Sequence, residues 1–257
     1  MNYALITGAS KGIGKAIAIE LAKRKCNVLL LARSGDLLQQ LAAELKKNYG
    51  IEADHLAIDL AVPDADEKIL DWCTSNQYTV NILVNNAGYG LAGPFDQYSK
   101  KENAGILQVN MILLVQLCQA FLPMLKAQPR SYILNLASSS AYQAVPMLNL
   151  YSASKVFVLR FSRSLAYELK ETSVSVTAVS PGPTDTDFPN RAQMNEKTKK
   201  TAGKLHATPQ SVAATAVKAM FAGKREVITG FVNKFQAFLV WLVPKRMVEN
   251  IAAGIYK

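Results

Sequence analysis

Short apolar runs alternate with longer segments whose apolar residues recur at helical spacing, and this alternation is what most narrows the fold. Tyr3–Ile6, Asn27–Ala32, His55–Leu60, Val80–Asn85, Ser131–Ala137, Val174–Val179 and Glu226–Thr229 read as strands. Between them lie helical patterns over Gly12–Lys25, Leu37–Leu45, Asp64–Asn76, Lys100–Lys126, Leu150–Glu171 and the stretch from Thr208 to Ala222. Strands followed by helices of this length cannot be joined by hairpin turns. They require crossovers, a parallel sheet and helices on both faces. The chain of 257 residues has 50% apolar and 19% charged residues, enough to cover both faces of one sheet. No repeat or linker divides it, so the expectation is a single α/β domain over residues 1–257, a doubly wound parallel sheet in three layers.

The first strand runs directly into Thr7-Gly8-Ala9-Ser10-Lys11-Gly12-Ile13-Gly14 and then into a helix. Glycines allow a tight turn and close approach of a pyrophosphate, and the helix start offers unpaired N–H groups and a favourable dipole end. The spacing is Gly-x-x-x-Gly-x-Gly, so the generic G-x-G-x-x-G fingerprint is not matched. Tyr151 and Lys155 are four apart on a predicted helix and share a face. A tyrosine with an ordinary pKa of ~10 is a poor base at neutral pH, and a nearby ammonium favours its phenolate.

Together, Thr7-Gly-x-x-x-Gly12-x-Gly14, Asn85-Asn86-Ala87-Gly88 and Tyr151-x-x-x-Lys155 resemble the short-chain dehydrogenase/reductase family, from Tyr3 to about Thr186. The resemblance implies a Rossmann-type fold and the interconversion of a carbonyl and an alcohol. In that family's terms Tyr151 exchanges a proton with the substrate oxygen, and Lys155 lowers the tyrosine pKa and holds the nicotinamide ribose. Ser138, thirteen residues before Tyr151, positions the substrate oxygen, and Asn110 holds a water in a proton relay to the lysine. Ser139 and Ser140 adjoin Ser138 and are read as pocket residues. The cofactor-binding set implied is Gly8, Ser10, Lys11, Gly12, Ile13 and Gly14 in the loop, with Arg33, Asp59 and Leu60 after the second and third strands. Asn86, Ala87 and Gly88, then Tyr151 and Lys155, then Pro181, Gly182, Thr184 and Thr186 complete it.

A carboxylate at the end of the second strand would select NAD(H) by binding the ribose 2′-OH. Here the strand ends in Arg33-Ser34, and Lys11 adds a second cation in the loop, so NADP(H) is expected in preference to NAD(H). The chain carries 29 Lys+Arg against 19 Asp+Glu, a net charge of +10, without a run or motif that would read as nucleic-acid binding. Cys26, Cys73 and Cys118 are widely spaced, and His55 and His206 have no clustered ligands, so neither a disulfide framework nor a metal site is expected. With no secretory leader pattern and no uninterrupted apolar run of spanning length, a cytoplasmic location is the default.

Residues 183–208 are polar and irregular and are read as a substrate lid. Residues 231–257 form an extension beyond the last strand, beginning with the apolar Phe231–Val243. It is read first as a helix packed over the pocket or against another subunit, and second as an interfacial helix giving peripheral membrane contact. Ile106–Leu117 is apolar nearly all round, which suggests a homo-oligomer, a dimer or a tetramer. Tyr89, Leu91, Tyr142, Met147, Leu148 and Phe188 are pocket candidates, so the expected substrate is an apolar small-molecule carbonyl or alcohol, a 3-oxoacyl thioester among them. The alternative from another class is a non-catalytic NADP-binding regulator or membrane-peripheral scaffold, which would not need Ser138, Tyr151 and Lys155.

Overall fold

The structure, a computed structural model, describes residues 1–194 and 207–256. Seven strands alternate with helices: β1 (Asn2–Thr7), β2 (Asn27–Ala32), β3 (Ala53–Ala57), β4 (Thr79–Asn85), β5 (Ser131–Leu136), β6 (Val174–Ser180) and β7 (Glu226–Ile228). All pair in parallel in the order β3-β2-β1-β4-β5-β6-β7. Their alternating side chains divide the core in two. Ala4, Ile6, Val28, Leu30, Ile82, Val84 and Leu134 pack with α1 (Gly12–Lys23), α2 (Gly35–Tyr49) and α8 (Pro209–Phe221) on one face. Leu5, Leu29, Leu31, Leu83, Ile133 and Val176 pack with α3 (Ala65–Ser75), α5 (Leu113–Lys126) and α6 (Asn149–Glu168) on the other. This is the expected doubly wound Rossmann-type sheet in three layers.

Two expectations change in detail. The third strand was expected over His55–Leu60 and lies at Ala53–Ala57. Its partner sets the limit: Val28 pairs with Ala53 and Ala32 with Ala57, and β2 ends at Ala32. The helix expected over Lys100–Lys126 is interrupted: α4 (Lys100–Leu107) passes through a π turn, Gln108–Ile112, into α5. The Leu113 N–H reaches back to the Gln108 carbonyl, and Asn110 sits at the centre of the widened turn. Among the described residues this is the one helix long and apolar enough to cross a membrane, but Leu113, Leu117, Phe121 and Leu125 are buried in the core.

The region after β6 is not wholly irregular. It contains a short helix, α7 (Phe188–Arg191), and its two ends meet: Asp185 N–H donates to Ala207 O at 3.0 Å and Ala207 N–H to Pro183 O at 3.0 Å. Residues 195–206, within the stretch read as a lid, lie outside the described residues. After β7 the chain forms two further helices, α9 (Phe231–Leu242) and α10 (Lys245–Tyr256).

Candidate active site

The strand order reverses between β1 and β4, and a cleft of about 700 Å³ opens at their C-terminal ends. Gly8 and Gly12 turn the loop after β1 with φ of +67° and +56°. Gly14 serves packing: a Cβ there would lie 2.3 Å from Gly8 O, so the helix could not approach the loop. Thr7 and Asn86 join this loop to β4. Asn86 donates from Nδ2 to Thr7 O at 2.8 Å and Gly8 O at 3.2 Å, while Thr7 Oγ1 accepts from the Asn86 and Ala87 N–H groups, both at 3.0 Å. α1 starts without a side-chain cap and without an acid in its first turn, which leaves its positive end to a ligand. Behind the cleft, Asn85 donates to Asn135 at 2.8 Å and Asn135 to Ser162 at 2.9 Å, tying β4, β5 and α6 together through the core.

Of the expected cofactor residues, Gly8, Ser10, Lys11, Gly12, Ile13, Arg33, Asp59, Leu60, Asn86, Ala87 and Gly88 line this cleft, as do Pro181, Gly182, Thr184 and Thr186. Gly14 stands behind it. The cationic side is broader than expected: Arg191 of α7 also lines the cleft, its guanidinium 4.8 Å from the centre of the Tyr89 ring. Burial and then the nearby Arg33 charge lower its pKa, against the opposing pull of Tyr89, Asp187 and Asp59. Lys11 meets Asp187 at 3.8 Å across the mouth, a solvated contact of little strength. A glycine turn, an uncapped helix start and three cations suit a phosphate-bearing dinucleotide.

Tyr151 and Lys155 project from α6 into the inner end of the same cleft. Lys155 is only 5% exposed. Its Nζ donates to Leu136 O at 2.7 Å and lies 5.6 Å from the centre of the Tyr151 ring. Burial lowers its pKa from 10.5 to about 8. Ser138 ends the segment after β5, and its Oγ accepts from Ser140 N–H at 3.1 Å. The Ser139 N–H donates to Pro181 O at 2.7 Å, which holds the serine turn against the segment after β6. Ser138, Ser139 and Ser140 all line the cleft.

Asn110 does not line it. The residue is 2% exposed; its Oδ1 accepts from Tyr89 N–H at 3.1 Å, and its Nδ2 donates to Tyr89 O at 3.0 Å and Ser154 Oγ at 2.9 Å. It therefore clamps the backbone that follows Gly88. A Cβ on Gly88 would come 3.2 Å from Asn110 Oδ1 and 3.3 Å from Lys155 Nζ, so this glycine lets both polar groups close behind the cleft.

Beside Tyr151 the wall is apolar. Val145, Leu148, Ala192 and Met194 form a small cluster with Phe188, whose ring centre is 4.9 Å from that of Tyr151. Leu91 and Tyr89 continue the lining. Tyr142 and Met147, expected in the pocket, are not among the lining residues. The Tyr142 hydroxyl turns away to Glu226 at 2.6 Å and Ser180 at 3.2 Å. Met147 takes a left-handed backbone, φ 68°, and its carbonyl accepts from Gly93 N–H at 2.8 Å. Arg191 and Met194 were not foreseen, because only the folding back of the segment after β6 brings them to the cleft.

The fold and this site define a dinucleotide-dependent oxidoreductase scaffold. The family model for the short chain dehydrogenase matches residues 2–197, and the chain belongs to the short-chain dehydrogenase/reductase family, whose members act on CH–OH or keto groups with a nicotinamide cofactor. It is similar to the very-long-chain 3-oxoacyl-CoA reductase of Macaca fascicularis, 29% identical over 263 residues that cover 99% of this chain and 77% of that protein. The Kluyveromyces lactis protein of the same name is 35% identical over 184 residues, covering 69% of this chain and 53% of its own, so the match spans about half of that relative. Among solved structures, a short-chain dehydrogenase from Sphingobium yanoikuyae in complex with NADPH superposes with a TM-score of 0.82. It is 26% identical over 93% of this chain and 92% of its own. A Burkholderia phymatum short-chain dehydrogenase/reductase in complex with NAD has a TM-score of 0.83 at 20% identity, over 93% of this chain and 92% of its own, a likeness of fold alone.

Proposed function

We propose that this protein is an NADP(H)-dependent reductase of a ketone or aldehyde, and that its substrate class is a long-chain 3-oxoacyl thioester. The observation that carries the reading is that Tyr151, Lys155 and Ser138 line the same cleft as the glycine loop and Arg33. The preference for NADP(H) rests on charge. Arg33 follows β2 where a carboxylate would select the ribose hydroxyl, and Lys11 and Arg191 add to a positive rim that favours a 2′-phosphate. The acyl class rests on the apolar wall of Leu148, Phe188 and Met194 beside Tyr151, and on the names of the relatives.

When bound, the reduced nicotinamide supplies a hydride to the carbonyl carbon. Tyr151 donates its phenolic proton to the carbonyl oxygen as charge builds there, and Ser138 Oγ donates a hydrogen bond to the same oxygen. Lys155 stabilises the phenolate left behind and would hold the ribose hydroxyls of the bound cofactor; its anchor at Leu136 O fixes the ammonium near the ring. Asn110 acts through position, holding the Tyr89 backbone and with it the floor at Gly88. Of the segment after β6, Phe188 and Arg191 stand in the cleft where they can contact the substrate and the cofactor.

Tyr151→Phe tests this reading. NADPH should bind as to wild type while carbonyl-dependent oxidation of NADPH is lost, and retention of turnover would refute the assigned role. An alternative role as a non-catalytic binder is disfavoured by the buried Lys155, whose desolvation a pure binder has no need to bear.

A further inference from the structure

The helix α9 is inside out. Asn233, Ala237 and Val240, spaced by four and three, are the residues turned toward the body of the protein, and Asn233 donates to Thr229 O at 2.7 Å. The opposite face is apolar and open: Phe231, Phe235, Phe238 and Leu242 form its central stripe, flanked by Val232 and Leu239 on one side and Trp241 on the other. Phe231 and Trp241 are 83% and 81% exposed, and α10 adds Met247 and Ile251, 56% and 66% exposed. Seven exposed large apolar side chains on α9 alone exceed the scattered exposure usual for a soluble face. At 12 residues, α9 is too short to span a bilayer.

Charge selects the occupant. Lys234 lies beside the Trp241 flank, and Lys245 and Arg246 open α10 just after the turn; all three are exposed. Glu249 is the one side-chain carboxylate from Phe231 to Tyr256. A symmetric contact with a second copy would set this face against itself, cations against cations, with no acidic complement. An anionic lipid surface complements it in both respects: headgroups for the cations and acyl chains for the aromatic stripe, with Trp241 at the boundary.

We propose that the α9–α10 face is a membrane-surface docking site, an interfacial anchor for anionic lipid. Packing over the pocket, the first expectation for this segment, is met on one side by Asn233 against Gly182, and the outward apolar stripe is the part left for the membrane. The first turn of α9 also backs onto the cleft: a Cβ on Gly182 would lie 2.2 Å from Asn233 Nδ2, so the anchor and the Pro181–Gly182 lining are in direct contact. The inference stands apart from the choice of cofactor or substrate.

The test is co-sedimentation of the full chain with phosphatidylcholine vesicles, with and without phosphatidylserine. Binding is expected to the phosphatidylserine vesicles and to weaken as salt is raised. Phe235→Glu and Trp241→Glu should each lower binding by about tenfold or more, since a buried large apolar side chain contributes at least that much. Lys245→Glu with Arg246→Glu should lower it by about fivefold for each removed cation. NADPH binding, measured on each variant, reports that the fold is kept. No sedimentation with either vesicle, or sedimentation unchanged in Phe235→Glu and Trp241→Glu, would overturn the proposal. So would a concentration-dependent dimer that these substitutions abolish, which would make the face an interface between copies.

Discussion

Lys155 makes the site expensive to fold, and its replacement by methionine should measure that cost. Burial holds its ammonium below the unfolded value, from 10.5 to about 8, which corresponds to about 3 kcal/mol of disfavoured charge below pH 8. The stability that depends on this group is therefore complete only above about pH 10.5 and is lost as pH falls through about 8. Lys155→Met removes the charge while keeping the unbranched stem. It also removes the 2.7 Å bond to Leu136 O, a loss of about 1–3 kcal/mol if the carbonyl stays unpaired. At neutral pH the variant should therefore be more stable than wild type by about 1 kcal/mol, roughly 2–4 °C in Tm for a domain of this size. From about pH 8 toward 10.5 the wild type should gain on the variant by up to about 3 kcal/mol, reversing their order. Urea denaturation of both proteins across that range is the assay, with turnover followed in parallel and expected to be lost. A stability difference that stays constant with pH would refute the buried-ammonium argument.

Other substitutions probe separate parts of the account. Arg33→Ala should weaken NADPH binding by about tenfold or more while sparing NADH, with a shallower salt dependence, as the loss of one charge-assisted phosphate contact requires; fluorescence titration reads both. Gly14→Ala should abolish cofactor binding or folding, because its Cβ would sit 2.3 Å from Gly8 O; circular dichroism with a binding titration separates the two outcomes. Tyr142→Phe leaves Glu226 without its 2.6 Å partner and should cost about 1–2 kcal/mol in urea denaturation, with kcat retained, since this hydroxyl points away from the cleft.

Much of the fold was legible because its signals are local. The glycine loop needs a particular backbone at Gly8 and Gly12, and the apolar runs from Tyr3 to Val179 need helices on both sides, whatever the rest of the chain does. Tyr151 and Lys155 share a helix face by spacing alone. What stayed hidden depends on partners distant in sequence. The end of β3 follows from where β2 stops, and Tyr142 turns outward because Glu226 and Ser180 meet it there. Asn110 stood out as a polar residue in an apolar helix, but nothing in that helix revealed that it grips both backbone groups of Tyr89. Arg191 comes to the cleft beside Ala192, whose carbonyl accepts from the Ala92 N–H at 2.8 Å, a contact far apart in sequence. The composition of α9 was plain, whereas the direction its apolar stripe faces was not.

The most direct test of the central claim is the oxidation of NADPH by the purified protein with a long-chain 3-oxoacyl-CoA, against NADH and against Tyr151→Phe. Substrate-dependent oxidation that favours NADPH and disappears in the variant is the expected result. Turnover that survives in Tyr151→Phe, or that proceeds better with NADH, would contradict the account.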